Sequence, residues 1–525
     1  MARLRGSGDE RQFSMSGRRG GGRRSRAIRG GDGISQLPWR EVVNTYSPMQ
    51  LLDEDRLEAL HRNSMRILSE IGIRVMSEKA MALFEKAGAI VDRENLMIRI
   101  DESIVEAALA TTPSSFTLTS RNPEKRLTIG GNRIAFGLVA GPPNVHDRIN
   151  GRRQGNLADY QNFTRLAHHF NAIHILGNQV CAPMELPANS RHLDTYKANI
   201  TLSDLSFHCT AIGRGRAVDG INMMAIARGI SVEEMSQSPG VITIISVNSP
   251  RLFDDAMADG LIAMAEHGQP VTITPFTLMG AMTPVTLAAA LCQQNAEALF
   301  GVTLAQLVNP GTPVMYGAFT SNVDMRSGAP AFGTPENAKA NIIAGQLARR
   351  YKLPYRTSNA NASNAVDLQA AYETEMATWG AVLGGANLIY HAAGWLEGGL
   401  TASYEKLVLD VEILQNMMGF LEPMPFSEDD LGFDAIKSVP AGGHFFGSEH
   451  TMARYETAFY QPMLSNWQNY GSWQEAGGHD ALERATGIWQ QALSEYEEPV
   501  LDPAIREELD AYMIKRRAEI GAGEP

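Results

Sequence analysis

Between residues 133 and 419 the chain repeats one pattern eight times: a short apolar run, a loop of small residues, then a helical stretch. The apolar runs are 133–139 (RIAFGLV), 174–180 (HILGNQV), 206–211 (SFHCTA), 241–247 (VITIISV), 271–276 (VTITPF), 313–318 (PVMYGA), 354–358 (PYRTS) and 387–391 (NLIYH). Each is bounded by Gly, Pro, Asn or Asp, and runs of this length without polar alternation read as strands buried on both faces, as in parallel sheets. The stretches between them carry apolar stripes. In 283–309, Leu287, Leu291, Ala298, Val302 and Ala305 recur at spacings of three, four and seven, the helical period. Strand and helix alternating eight times predict an α/β protein, a closed (β/α)₈ TIM barrel. Residues 115–137 also read as an antiparallel hairpin, which competes with the first strand. In such barrels the chemistry lies at the carboxyl ends of the strands.

The periodicity outside the barrel is different. A helix is expected at about 53–71, with Leu57, Leu60, Met65 and Leu68 on one face, then a helix at 77–88 ending at Gly88, a hairpin at 89–100 around Glu94-Asn95, and a helix at 101–111. The expected organisation is a disordered basic arm and linker (1–46), a small α+β head (47–130), the barrel (131–420), and an acidic connection with a helical C-terminal extension (421–525). Between 445 and 473 the extension carries Phe445, Phe446, Tyr455, Phe459, Tyr460, Trp467, Tyr470 and Trp473. Packing of these aromatics against the barrel or another subunit is the ordinary expectation, since aromatics supply much buried area.

Charge changes the picture at one end. Residues 1–30 hold nine arginines against Asp9 and Glu10. With −12 overall, the remainder of the chain carries −19. The arm is rich in Gly and Ser and poor in large apolar residues, so it is expected to be disordered. The acidic body argues against nucleic acid as the main ligand. No apolar run reaches the roughly 20 residues that cross a bilayer, and the arm lacks the apolar core of a signal peptide. Three scattered cysteines exclude a disulfide framework. A cytoplasmic protein without a membrane span, and a homo-oligomer, is expected.

The predicted strand-end loops are AGPPNVHD (140–147), CAPME (181–185), IGRG (212–215), NSP (248–250), TLMGAMTP (277–284), FTSNVDMRSGAPAFGTPE (319–336), NANASNA (359–365) and AAGWLEGGLTA (392–402). No lysine lies in them, which disfavours Schiff-base chemistry. His146-Asp147, His208-Cys209 and His391 are possible metal ligands, but no His-x-His falls at a strand end. Glu185 with Asp324 or Glu397 could form a carboxylate pair. The mouth that remains is uncharged and lined by amides and aromatics: Phe276, Tyr316, Phe319, Phe332, Tyr390 and Trp395 lie in or near it. Aromatic faces hold quaternary ammonium groups, at about 0.5–2 kcal/mol per cation–π contact.

The segments GAMTPVTLAAALCQQNAEALFGVTLAQLVNPGTPVMYG (280–317), SNVDMRSGAPAFGTPE (321–336), LPYRTSNANASNAVDLQAAYE (353–373), GGHFFGSEHT (442–451) and FYQP (459–462) resemble the trimethylamine methyltransferase family. The resemblance covers about 50–500. It implies a methyltransferase that passes a methyl group from a quaternary amine or methylamine to the cobalt of a corrinoid. The chain has only standard residues, which resembles the branch without pyrrolysine, associated with betaines such as glycine betaine. A corrinoid protein would then be the partner, with no cofactor bound tightly to this chain and no metal site. The chain carries no Asp-x-His-x-x-Gly sequence of the kind that ligates cobalt in cobalamin-binding domains. On this resemblance the candidate catalytic residues are Asp324 and His391, and the candidate substrate-binding residues are Phe276, Tyr316, Phe332, Asn359 and Trp395. Arg214, Asn359, Asn361 or His391 could hold a betaine carboxylate, and the Asp324-Met325-Arg326 loop and the aromatic tail are candidate rims for the partner. The alternative is a metal-dependent TIM-barrel lyase or hydrolase acting on a small cationic substrate, because fold does not fix function.

Overall fold

The structure, a computed structural model, describes residues 33–177 and 179–522. Its centre is a closed ring of parallel strands: β1 (Arg133–Leu138), β2 (Ile175–Leu176), β3 (Ser206–His208), β4 (Val241–Ile245), β5 (Val271–Ile273), β6 (Val314–Gly317), β7 (Tyr355–Ser358) and β8 (Leu388–Ala393). Each pairs with the next in chain order, and β8 returns to β1 with Leu388 beside Ala135 and Ile389 beside Phe136. The layer outside is α1 (Leu157–His169), α2 (Arg191–Leu202), α3 (Arg214–Arg228), α4 (Asp255–Glu266), α5 (Leu287–Val308), α6 (Pro335–Arg350), α7 (Leu368–Leu383) and α8 (Tyr404–Phe420). The predicted (β/α)₈ barrel is therefore present, with each strand inside its predicted run or within two residues of it.

The two readings of 115–137 are both realised. Ser115–Leu118 and Leu127–Gly130 form an antiparallel hairpin, and β1 follows it. Phe116, Leu118, Leu127 and Ile129 of the hairpin pack against Ala135, Ile175, Ile242, Met315 and Leu388, which point into the barrel. The hairpin closes the amino-terminal end of the ring.

The head forms as its capping residues dictate. Asp53 accepts from the Arg56 N–H at the start of helix Glu54–Arg66, and Ser77 caps helix Glu78–Lys86. A hairpin of Ile90–Asp92 and Met97–Arg99 and the helix Glu102–Thr111 complete it. Its sheet takes a fourth strand, Leu252–Phe253, from the loop after β4, which lies parallel to Ile73–Val75. The head sits on α5: Phe84 stacks on Phe300 at 4.4 Å, and the Ser64 hydroxyl is 3.0 Å from the Cys292 carbonyl. This explains a departure from the expected stripe. Helix α5 is buried almost all round, because the head covers the face that would otherwise meet water.

The segment before the head differs from the expected free linker. Val42–Val43 adds an antiparallel strand to the start of β1, and Trp39 lies edge-on to His174 at 5.9 Å. The arginine-rich arm falls within residues 1–32, outside the described residues. At the other end, helix Ala481–Ser494 packs on α8 and α1, and helix Pro503–Gly521 on α3 and α2. The aromatic stretch before them is anchored through Glu412 of α8, which accepts from the Met463 and Leu464 N–H groups at 2.9 and 3.1 Å. Most of its aromatics do not pack against the barrel: Phe446 is 81% exposed, Phe459 76% and Tyr470 73%. No helix among the described residues is long and apolar enough to cross a membrane.

Candidate active site

The alternation of a strand decides which side chains enter the barrel. In β7, Tyr355 and Thr357 turn outward, their hydroxyls 2.8 and 2.7 Å from Asn341 of α6. Arg356 and Ser358 therefore turn inward. In β3, Phe207 stacks on Tyr196 of α2, which leaves Ser206 and His208 inside. Tyr390 of β8 also enters, and its ring lies where a side chain on Gly137 of β1 would stand.

These residues form one network. The Ile244 N–H donates to His208 Nε2 at 2.9 Å, so Nδ1 carries the imidazole proton and donates to the Tyr390 oxygen at 2.6 Å. Burial, with Arg356 nearby, pushes the His208 pKa down to about 3, so the ring is neutral. The Arg356 guanidinium lies 5.3 Å from the Tyr390 ring centre and 5.6 Å from that of Phe319. It is 1% exposed, and its Nε and Nη1 have no hydrogen-bond partner among the described residues. Burial lowers its pKa to about 10, which leaves it charged at neutral pH.

Above this layer the backbone of β8 bulges. Ile389 pairs with Phe136, but the next pair is Ala393 with Leu138. Within the bulge His391 has φ 59°, a left-handed conformation that costs a non-glycine residue about 1–3 kcal/mol. Its surroundings hold it there: Ser358 Oγ is 3.1 Å from Nδ1, and the Trp395 and Tyr390 rings are 4.3 and 4.9 Å away. Burial, then Arg356 and His208, keep its pKa well below the usual range, so it too is neutral.

His391 forms one wall of an aromatic cluster. A second small sheet at the mouth builds the rest. Phe276–Met279 runs parallel to Phe319–Val323, which sets Phe276 beside Phe319 at 5.0 Å. Pro330–Ala331 returns antiparallel to that strand and delivers Phe332, stacked on Phe319 at 5.2 Å. Trp395 closes the group, 6.0 Å from Phe319 and 6.3 Å from Phe332. The indole N–H donates to the Asn361 carbonyl at 3.1 Å, and Asn361 Nδ2 donates back to the Trp395 carbonyl at 2.7 Å. Asn359 spends its Nδ2 on Thr378 and on the Ala392 carbonyl. The Oδ1 atoms of Asn359 and Asn361 have no partner among the described residues. A buried ion pair fixes the loop: Lys406 bridges to Asp410, whose other oxygen accepts from the Gly394 N–H at 2.8 Å. Two surface clefts, of about 430 Å³ beside Trp39 and Arg126 and about 400 Å³ beside Asn222 and Tyr512, share no residue with this cluster.

The sequence model described as trimethylamine methyltransferase (MTTB) matches residues 18–521. The chain belongs to the trimethylamine methyltransferase family. It is a methyltransferase. The glycine betaine methyltransferase of Desulfitobacterium hafniense (strain Y51) is 37% identical to it over 472 residues, 90% of this chain and 98% of that protein. The proline betaine:corrinoid methyltransferase of Eubacterium limosum is 28% identical, over 87% of this chain and 96% of its own. Among solved structures, the hydroxylamine complex of MtmB aligns with 85% of this chain and 93% of its own, with a TM-score of 0.47 and 9% identity.

In this member of the trimethylamine methyltransferase family, Phe276, Phe332, His391 and Trp395 come together at the mouth, whereas the Asn359 side chain turns to Thr378 of α7 and to the Ala392 carbonyl. Tyr316 does not join them. Its hydroxyl is 2.8 Å from Asn295 Oδ1 on α5, so it points out of the barrel into the helix layer. Asp324 does not join them either. It lies exposed at the turn between Phe319–Val323 and Pro330–Ala331, where its carboxylate accepts from the Ser327 hydroxyl at 2.6 Å and the Ser327 N–H at 3.1 Å. It shapes its own loop, and the structure gives no support to a catalytic role. The other strand-end carboxylates are likewise engaged: Asp147 with Arg153, Glu397 with Arg152, Glu185 with the Leu157 N–H. Arg214 pairs with Glu266 outside the barrel. Among the described residues no three His, Cys, Asp or Glu stand together as metal ligands would. The residue that sequence reasoning overlooked is Arg356. A search of the loops passes it by, because it sits inside a strand, and a charge at an inward position of a buried strand is the signal that would find it.

Proposed function

We propose that this methyltransferase takes a methyl group from a quaternary amine of the betaine type and passes it to a corrinoid carried by a separate protein. The observation that carries this reading is the aromatic enclosure of Phe276, Phe319, Phe332 and Trp395 against a neutral His391. A quaternary ammonium has no N–H to donate, so it is recognised by ring faces and by bare acceptor oxygens rather than by hydrogen-bond acceptors placed in line. The names of the relatives support the substrate class, and that of the proline betaine enzyme supports the acceptor.

Among the described residues the strand-end carboxylates are all engaged, and this suits the chemistry. When the C–N bond breaks, its electron pair stays on nitrogen and leaves a neutral tertiary amine. No proton has to be delivered, and the acceptor supplies both electrons of the new bond to carbon. The protein's part is to strip water from the cation and to hold one methyl toward the open mouth. The test is incubation of the full chain with betaines and methylamines and with reduced cobalamin, following the cobalamin absorption spectrum and the demethylated amine together. Methyl transfer from at least one quaternary amine is expected. If neither signal appears with any of them, this reading fails.

A further inference from the structure

A buried guanidinium beside a cage for cations is an electrostatic contradiction unless the ligand brings an anion with it. Arg356 is 1% exposed, and among the described residues no ion pair involves it and its Nε and Nη1 have no partners. The titratable groups facing it, His208, His391 and Tyr390, do not neutralise it: both histidines are held neutral by burial. The Phe319 and Tyr390 rings lie 5.6 and 5.3 Å from it, a cation–π environment that leaves its N–H donors unused. Unused donors in a buried charged group demand an acceptor, and a carboxylate fits a guanidinium edge with two parallel hydrogen bonds. Phe319 is also the ring shared by all other members of the aromatic cluster. The charged groups that Arg356 and the cage would bind thus meet on one ring. In a betaine, one short carbon link separates ammonium and carboxylate.

We infer that Arg356 is the anchor for the carboxylate of a zwitterionic quaternary amine, and that it makes this site select betaines over amines that carry only positive charge. The inference rests on the quaternary-amine reading above and adds to it the residue that sets the substrate class. With the carboxylate on β7, the ammonium lies among Phe319, Phe332 and Trp395. The nitrogen substituents then point away from the barrel floor, toward the mouth where a methyl acceptor can reach them. Choline or trimethylamine would place a cation near Arg356 with nothing to offset it.

Calorimetric binding to the full chain tests this, with glycine betaine, its methyl ester and choline as probes. Wild type is expected to bind glycine betaine at least about tenfold more tightly than the ester or choline, the scale of a charged hydrogen-bonded contact. Arg356→Gln is expected to lose about tenfold or more for glycine betaine and to bind the ester as wild type does. Arg356→Lys should recover part of the loss, because it restores charge without the fork. Wild type binding betaine and ester equally, or Arg356→Gln binding betaine unchanged, overturns the assignment while the quaternary-amine reading stands. Wild type binding none of the three overturns both. Should Arg356→Gln fail to fold, the wild-type comparison of betaine with its ester decides alone.

Discussion

At the scale of single residues, two side chains carry sharp expectations. Trp395 contributes its ring to the cluster and exchanges side-chain-to-carbonyl hydrogen bonds with Asn361. Trp395→Ala should weaken quaternary-ammonium binding by about 1–2 kcal/mol, with the circular dichroism spectrum unchanged, and titration calorimetry reads the loss. His208 carries a pH dependence. Its pKa is about 3 in the folded chain against an ordinary 6.5, so below pH 6.5 the unfolded chain takes up a proton that the folded chain refuses. The stability present above pH 6.5 is then lost as the pH falls toward 3, by about 1.4 kcal/mol per pH unit. His208→Gln keeps a side chain that can accept from Ile244 and donate to Tyr390. Denaturant titrations between pH 7 and 5 should show a shallower decline for it than for wild type, and parallel declines would refute the linkage. Much of the candidate cluster was legible at this scale. Phe276, Phe332, His391 and Trp395 stand in or next to strand ends and are aromatic or neutral, and those two properties select them. Tyr316 shares both and still points outward, because inward and outward positions alternate along β6 and a one-residue register is not visible in an apolar run. Asp324 stands apart from the cluster for a related reason: 319–336 looks like open loop, whereas the strand Phe319–Val323 and its return leave Asp324 on an exposed turn.

At the scale of elements, the loop bearing His391 and Trp395 depends on a pair of charges hidden behind it. Lys406 and Asp410, one turn apart on α8, are both about 1% exposed, and Asp410 holds the Gly394 N–H. Removing one partner strands the other in a dry interior, at about 3–5 kcal/mol. Asp410→Ala should lose about that much in urea unfolding, and its ligand affinity should fall as well because Gly394 loses its acceptor. A variant of undiminished stability would show that the pair is solvated. The order of strands and helices could be read from the sequence because the repeat of apolar run and helix is local. The small sheets at the mouth, Phe276–Met279 with Phe319–Val323 and Trp395–Leu396 with Thr401–Ser403, could not. They are strands of two to five residues, too short for any periodicity to declare them. The same limit hid Leu252–Phe253, a strand of two residues that belongs to the head although it lies deep within the barrel sequence.

At the scale of the whole molecule, that strand joins head and barrel into one cooperative body. The head cannot leave without breaking the pairs Leu252 with Arg74 and Phe253 with Val75, and without exposing Phe300 under Phe84. Scanning calorimetry should record a single unfolding transition, and two separated ones would show the head to be independent. The hairpin Ser115–Leu118 with Leu127–Gly130 has a different consequence. It gives the barrel a floor, so the proposed reaction has one doorway. On the proposed function, substrate, spent amine and methyl acceptor would all pass the same end of the barrel, and a partner seated there would bar the exit. Turnover then becomes a matter of queueing: a partner that arrives too often catches the chamber with spent amine still inside. Steady-state turnover should rise with corrinoid protein, pass a maximum and fall, while the rate of a single turnover only saturates.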